Sequence, residues 1–396
     1  MTTTPFRKIA ACAAILATAV ACACLSSCGN DSPQEITVGS LRLIGSQVLP
    51  RRGEFGGTVV GGLSGIDYDE KSGTYVLISD DRTVGDSSAA PRMYTARLSF
   101  DANSFTGVQL LSTFSMRQPD GSLYPKVPDP RVADPESVRF DRASGNLLWT
   151  SEGDRALANA TTTERIINPF IREVKPDGTH VREYTLPSMF RMSSSPIGPR
   201  GNLAFEGLSF TPSNASAVVI AEGPLFDDGP TPTLTNPAVS RITVFDRASG
   251  TASAQYAYPI ERVQVAPVPA DAFTVNGPTE ILALSETRFL VLERSFSVGV
   301  LGNQVRLYEI DVSKATNILN LASLNGATFT AVNKRLVLDF ETIKSRVGGI
   351  ANLEGITFGP RLANGNRSLV VVADDNFPSA DSATDFNQVL VFEVIP

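Results

Sequence analysis

The chain has 396 residues, with 41 acidic against 34 basic side chains and one histidine. Its formal charge of −7 at pH 7 argues against nucleic acid as a partner and is compatible with binding cations. The four cysteines, Cys12, Cys22, Cys24 and Cys28, all lie near the start, and together with the lone histidine this speaks against zinc, copper or haem sites in the remainder.

A short basic region, Arg7-Lys8, precedes an apolar stretch, Ile9–Cys24. A spanning helix needs about 20 apolar residues; this shorter, alanine-rich run fits the h-region of a secretory signal. It ends in Leu25-Ser26-Ser27-Cys28, which resembles the lipobox of bacterial lipoproteins. The resemblance implies cleavage after residue 27, a lipid on Cys28 and contact with the membrane through that anchor only. Gly29, where an Asp would favour the inner membrane, points to the outer membrane, so a periplasmic or outer-membrane surface location is expected. An ordinary cleaved signal peptide is the alternative. Residues 28–38 read as lipidated cysteine and polar tether, and 39–396 as the folded domain. That domain then has no disulfide despite an oxidising destination.

Five segments share one pattern: a small or acidic residue, a short apolar strand, a turn, then a strongly apolar strand closed by an acid. Their lead residues are Ser64, Glu136, Glu206, Glu280 and Glu354, spaced 72, 70, 74 and 74 positions apart. The second strands, such as Leu147–Ser151 and Leu369–Ala373, suit burial on both faces. Four strands per unit, repeated radially, make an all-β β-propeller. The excess over the ~40–50 residues of common blade repeats sits in long loops. Five units predict five blades; a sixth, assembled from N-terminal strands and inter-motif tracts, is the alternative. Roughly 365 residues exceed the usual single domain, but a repeat fold adds units without enlarging one core. Helix signals are sparse, the strongest being Val312–Leu321 and Phe340–Val347, and a monomer is expected.

Equivalent positions of a propeller come to the same height around its axis. The five lead residues therefore form a ring with four carboxylates, which repel unless they share protons or hold a cation. Oxygen-only ligands suit calcium, so Ser64, Glu136, Glu206, Glu280 and Glu354 are the expected metal ligands, with the metal structural or catalytic. Alternatively each Glu caps backbone N–H groups of its own blade. A second acidic set closes the apolar strands: Asp80, Asp81, Glu152, Glu222, Glu293, Asp374 and Asp375. Arg82 and Arg294 adjoin it, and mixed carboxylates and guanidiniums fit phosphate chemistry, salt bridges between blades being the bland alternative. His180 follows the turn Pro176-Asp177-Gly178 and is a poor relay candidate. No Gly-x-Ser-x-Gly elbow occurs, nor a phosphate loop. Trp149 reads as core.

At these segments the chain resembles the phytase-like family labelled "esterase-like activity of phytase". The likeness is carried by Ser79-Asp80-Asp81-Arg82, Asp134-Pro135-Glu136-Ser137, Phe205-Glu206-Gly207-Leu208, Leu292-Glu293-Arg294-Ser295-Phe296 and Asn352-Leu353-Glu354-Gly355 with Asp374-Asp375-Asn376-Phe377. It implies a secreted propeller that hydrolyses phosphate esters. The ring is also similar in layout to the central calcium site of five-bladed calcium-activated nucleotidases. The expected activity is metal-dependent hydrolysis of a small phosphoester, with Glu293, Arg294, Arg82 and Asp81 at the catalytic centre and Ca2+ in or beside the ring. No cluster of lysines adjoins the acids, so inositol hexakisphosphate fits less well than a smaller ester. The rival reading is a non-catalytic propeller that binds a small molecule or a protein, with calcium purely structural.

Overall fold

Five four-stranded antiparallel sheets dominate the computed structural model, which describes residues 1, 35–82, 91–382 and 384–396. The expected signal segment beyond Met1, and the expected lipidation site Cys28, lie outside the described residues. All elements below belong to one compact unit within Pro33–Pro396. Among the described residues no helix is long and apolar enough to cross a membrane.

Blade one consists of Leu63–Asp69, Thr74–Ser79, Arg92–Phe100 and Phe105–Ser115. Blade two has Pro135–Phe140, Leu147–Ser151, Phe170–Val174 and His180–Glu183. Blades three and four begin with Phe205–Phe210 and Thr274–Ala283, followed by Ser216–Ala221 and Arg288–Ser297. Blade five runs from Asn352–Arg361 through Arg367–Asp374 to Gln388–Ile395. Its fourth strand is Ser40–Val48, from the other end of the chain, with Ser40 opposite Ile395 and Val48 opposite Gln388. The inner strands contact one another in sequence and the fifth meets the first, which closes a five-bladed propeller. The N-terminal strand completes blade five rather than starting a sixth.

Alternation within each blade builds the core. The second strands are buried on both faces, as in Ser216–Ala221 and Arg367–Asp374, and the apolar clusters form between adjacent blades. Trp149 is fully buried, edge-on to Tyr124 and Phe170. Glu35 and Ile36, read as tether, pack on blade four: Glu35 pairs with Arg288 at 2.7 Å and the Ile36 N–H donates to Leu284 O. Val312–Leu321 is not helical. Its apolar residues Val312 and Ile318 are buried, and the Ile318 N–H donates to Gln255 O of blade three, so tertiary bonding holds the segment open. Around Phe340–Val347 only single turns form, Phe340–Thr342 and Lys344–Val347.

The inner strands approach the axis closely. A Cβ on Gly207 would lie 2.6 Å from Glu280 Cα and 2.6 Å from Ile281 N, so only glycine fits against that backbone. On the axis itself, Arg139 of blade two donates to Ile66 O (2.7 Å), Val138 O (3.1 Å), Ile281 O (3.2 Å) and Ile356 O (3.1 Å). It also pairs with Glu280 at 3.0 Å. Glu280 in turn accepts from Ser137 Oγ (2.9 Å) and from the Leu208 N–H of blade three (2.8 Å). All five blades are thus tied by one buried ion pair.

Removing one member of a buried pair strands the other charge, at about 3–5 kcal/mol. Glu280→Leu is expected to lose that much, and Arg139→Leu/Glu280→Leu distinctly less, in denaturant titrations followed by the fluorescence of the single tryptophan. A single variant as stable as wild type would remove the pair from this role. Gly207→Ala is expected to cost about 1–3 kcal/mol through overpacking, because the obstructing atoms are backbone.

Candidate metal centre and adjoining cavity

Each inner strand carries a β-bulge where it nears the axis. The register skips Ser64 in blade one, shifts across Glu136-Ser137 in blade two and Glu206-Gly207 in blade three, and skips Glu354 in blade five. A bulge re-aims side chains at a sheet end, and here it turns these lead residues toward a common centre. In blade four the bulge falls one residue earlier, on Thr279, and Glu280 rejoins the ladder opposite Leu292. Glu280 therefore meets Arg139 instead of the other lead glutamates.

The second strand of blade four shows the same phase difference. Asp80, Glu152, Glu222 and Asp374 of the other four blades interact with the lead carboxylates. In blade four Arg294 takes this role, donating to Glu222 Oε1 (2.9 Å) and Asn352 Oδ1 (2.6 Å) and lying 3.8 Å from Glu354. Adjacent residues of a strand face opposite sides, so Glu293 points away. It binds Lys334 Nζ (2.6 Å), Tyr258 Oη (2.8 Å) and Asn276 Nδ2 (3.0 Å). Asp81 is likewise turned from its neighbour Asp80 and pairs with Arg92 at 2.7 Å. The structure thus brings Arg82, Arg294, Ser64, Glu136, Glu206 and Glu354 together, and does not bring Glu280, Glu293 or Asp81 to them.

Asp134, two residues ahead of Glu136, completes the centre. One carboxylate oxygen from each of Asp134, Glu136 and Glu152 lies within 4.8 Å of the other two, and all three residues are buried. This acidic triad is able to hold a metal ion. Its donors are oxygen only, which suits a hard cation; His180 stands apart on the outer strand of blade two. Arg82 reaches Asp134 at 2.7 Å, and the Ala204 N–H donates to Glu152 at 3.0 Å. On the other side, Asn352 Nδ2 bridges Glu354 (2.8 Å) and Asp374 (3.1 Å).

Seven buried carboxylates and the half-buried Asp80 thus face two guanidiniums. Burial, reinforced by Glu206 and Asp134, raises Glu136 well above the usual range. Burial and then Asp134 raise Glu152, and burial and then Glu222 raise Glu206. Asp134 is pushed up to about 6 by burial against the opposing pull of Arg82. Glu222 is pushed up to about 7 by burial, opposed by Arg294. Glu354 is also raised by burial, with Arg294 and the Ser64 hydroxyl pulling the other way.

The wall beside Asp80 and Asp374 is strained. Asn376 and Phe377 have φ of 50° and 47°, a conformation costly for side-chain-bearing residues. Asp375 holds the turn by accepting from the N–H groups of Phe377 (3.2 Å) and Gly62 (3.0 Å). At Gly62, φ is +60° and a Cβ would lie 1.9 Å from Asp80 Oδ1. A cavity of about 460 Å³ opens next to the centre, with Glu222, Arg294 and Asn352 in its wall.

Residues 58–377 match the family described as "Phytase-like: Esterase-like activity of phytase". The chain belongs to that family. No curated protein matches it. Among solved structures, it is similar to an endo-arabinase from Bacteroides thetaiotaomicron (10% identity, covering 85% of this chain and 95% of that one, TM-score 0.41). It is also similar to an endo-1,4-beta-xylanase from the same organism (11% identity, 83% and 90%, TM-score 0.43). A third is the PQQ-bound aldose sugar dehydrogenase of Streptomyces coelicolor (15% identity, 87% and 81%, TM-score 0.35). The propeller assignment rests on the five sheets described above.

The carboxylates give this family member a defined pH response. Their folded pKa values lie above the unfolded ones, so the native state binds more protons between them, and stability falls as pH rises. The stabilising contribution is full below about pH 4, the unfolded range. It is lost as pH passes about 6 at Asp134 and about 7 at Glu222. In the presence of chelator the melting temperature is expected to drop between pH 5 and about 8, and saturating divalent cation to flatten the drop. A chelated protein more stable at the upper end would contradict the electrostatics described.

Proposed function

We propose that the protein is a metal-dependent hydrolase of phosphate esters that holds calcium at Asp134, Glu136 and Glu152. The observation that supports this reading is the buried triad within a carboxylate cluster that two guanidiniums cannot neutralise. A bound divalent cation supplies the missing positive charge and Lewis acidity. Arg294 and Arg82 flank the centre and orient phosphoryl oxygens. Glu222 lines the cavity with a pKa near 7 and takes the proton of the attacking water, the work of a general base poised near the operating pH. We further propose that the protein acts at the cell envelope as a monomer, anchored through Cys28. A second reading, a ligand-binding propeller with structural calcium, draws on the existing pairing of Arg82 with Asp134 and of Arg294 with Glu222.

A ligand that binds the native state alone stabilises it by about 2.7 kcal/mol at a hundredfold excess over Kd. Calcium added to the chelator-stripped full chain is expected to raise the melting temperature saturably, and Glu136→Gln with Glu152→Gln to abolish the rise. Phosphoester turnover is expected to require calcium and to vanish in Glu222→Gln while the calcium-induced rise persists. A persistent rise without any turnover would favour the second reading; no rise would remove calcium from the site.

A further inference from the structure

The cavity beside the acidic centre is two-sided. One side is apolar: Phe273, 64% exposed, stands 6.4 Å from Phe296, with Leu203 nearby. A large exposed aromatic side chain lining a cavity, beside polar groups, is the ordinary composition of a small-molecule site. The volume of about 460 Å³ admits a molecule of one or two rings.

The other side carries two polar atoms without partners. Arg294 uses Nη1 on Asn352 and Nη2 on Glu222, and its buried Nε has no partner. Asn303 is 2% exposed and lines the same cavity, and its Oδ1 also lacks a partner. Buried polar atoms are nearly always bonded, so these two mark where a ligand completes the wall. The available chemistry is one donor for an oxygen and one acceptor for a hydroxyl.

Charge narrows the ligand further. Among the described residues lining the cavity, Arg294 is the only cation, while Glu222 and Asp385 are acids. A polyanion would find one guanidinium, two-thirds engaged, and a cluster of carboxylates behind it. We propose that the cavity selects aryl or alkyl phosphodiesters, which bring a single negative charge to Arg294 and an apolar group to Phe273 and Phe296. Cleavage of such a diester rests on the hydrolytic reading of the adjoining centre; the binding preference does not. In the cleavage the oxygen of water bonds to phosphorus and the bond from phosphorus to the aryloxy oxygen breaks. One water proton ends on the released phenol through Glu222, and a monoester remains.

The test uses the full chain in calcium with three probes: bis(4-nitrophenyl) phosphate, 4-nitrophenyl phosphate and inositol hexakisphosphate. Binding is measured by calorimetry and turnover by release of 4-nitrophenol or phosphate. The diester is expected to bind and react best. Phe273→Ala is expected to raise its KM about tenfold, the worth of one lost aromatic contact, with Phe273→Leu intermediate and kcat less affected. Phe273 is exposed, so its variants keep the fold. If the diester binds in a Phe273-dependent way and nothing is cleaved, the binding preference stands and the hydrolytic reading falls. If esters are cleaved but the monoester or inositol hexakisphosphate is preferred, or Phe273→Ala leaves KM unchanged, the proposal is overturned and the hydrolytic reading stands. Absence of both binding and cleavage overturns both.

Discussion

The guanidinium of Arg139 lies where five inner strands converge, a place that admits neither bulk water nor a conventional apolar plug. Backbone carbonyls of those strands point inward and need donors. Arg139 supplies them to four strands at once, and Glu280 balances its charge while accepting from the remaining blade, blade three, through the Leu208 N–H. Burying such a pair is expensive on its own. What offsets the cost is the number of otherwise unsatisfied backbone groups it serves. The axis is consequently polar, with both terminal nitrogens of Arg139 bonded, and the apolar cores lie outward between the blades.

That arrangement frees one end of the axis for the opposite electrostatic condition. There the blades present carboxylates with too few partners, so their proton affinities rise together. Such a centre stores unfavourable energy that a stability-driven sequence would remove by replacing acid with amide. Strain in the adjoining turn at Asn376 and Phe377 belongs to the same pattern of local cost concentrated at one place. The remainder of the propeller, with its long buried strands, bears it.

The period of the repeat was legible because equivalent residues are spaced almost evenly and the apolar strands are unmistakable. The five blades and the convergence of Ser64, Glu136, Glu206 and Glu354 follow directly. What escaped was phase. An alternating pattern has period two, so a bulge displaced by one residue exchanges the two faces of a strand, and nothing in the letters around Pro278-Thr279-Glu280 marks which residue is extruded. Glu280 therefore looked like a ring member and Glu293 like a partner of Arg294 at the catalytic centre, while of those two neighbours only Arg294 faces it. Two signals were available and unused. Arg139 stands at an apolar position of a short inner strand, and Asp134 precedes Glu136 by two residues, the spacing of side chains on one face. Phe273 and Asn303 come from segments outside the repeat, where only the folded chain reveals what meets what.

The pairing of Ser40–Val48 with Gln388–Ile395 governs the order in which this molecule assembles. Blades one to four are built from strands near one another in sequence, and each can form as a local meander. Blade five has to wait for its last strand and then capture a segment some 350 residues away, against the entropy of closing a very long loop. Contacts of such separation form late. Closure of the ring is therefore expected to be a late step in folding. The Arg139 network, which draws on both blade one and blade five, locks only when those two blades meet. Maturation of the centre is in this sense a closing event that belongs to the whole chain.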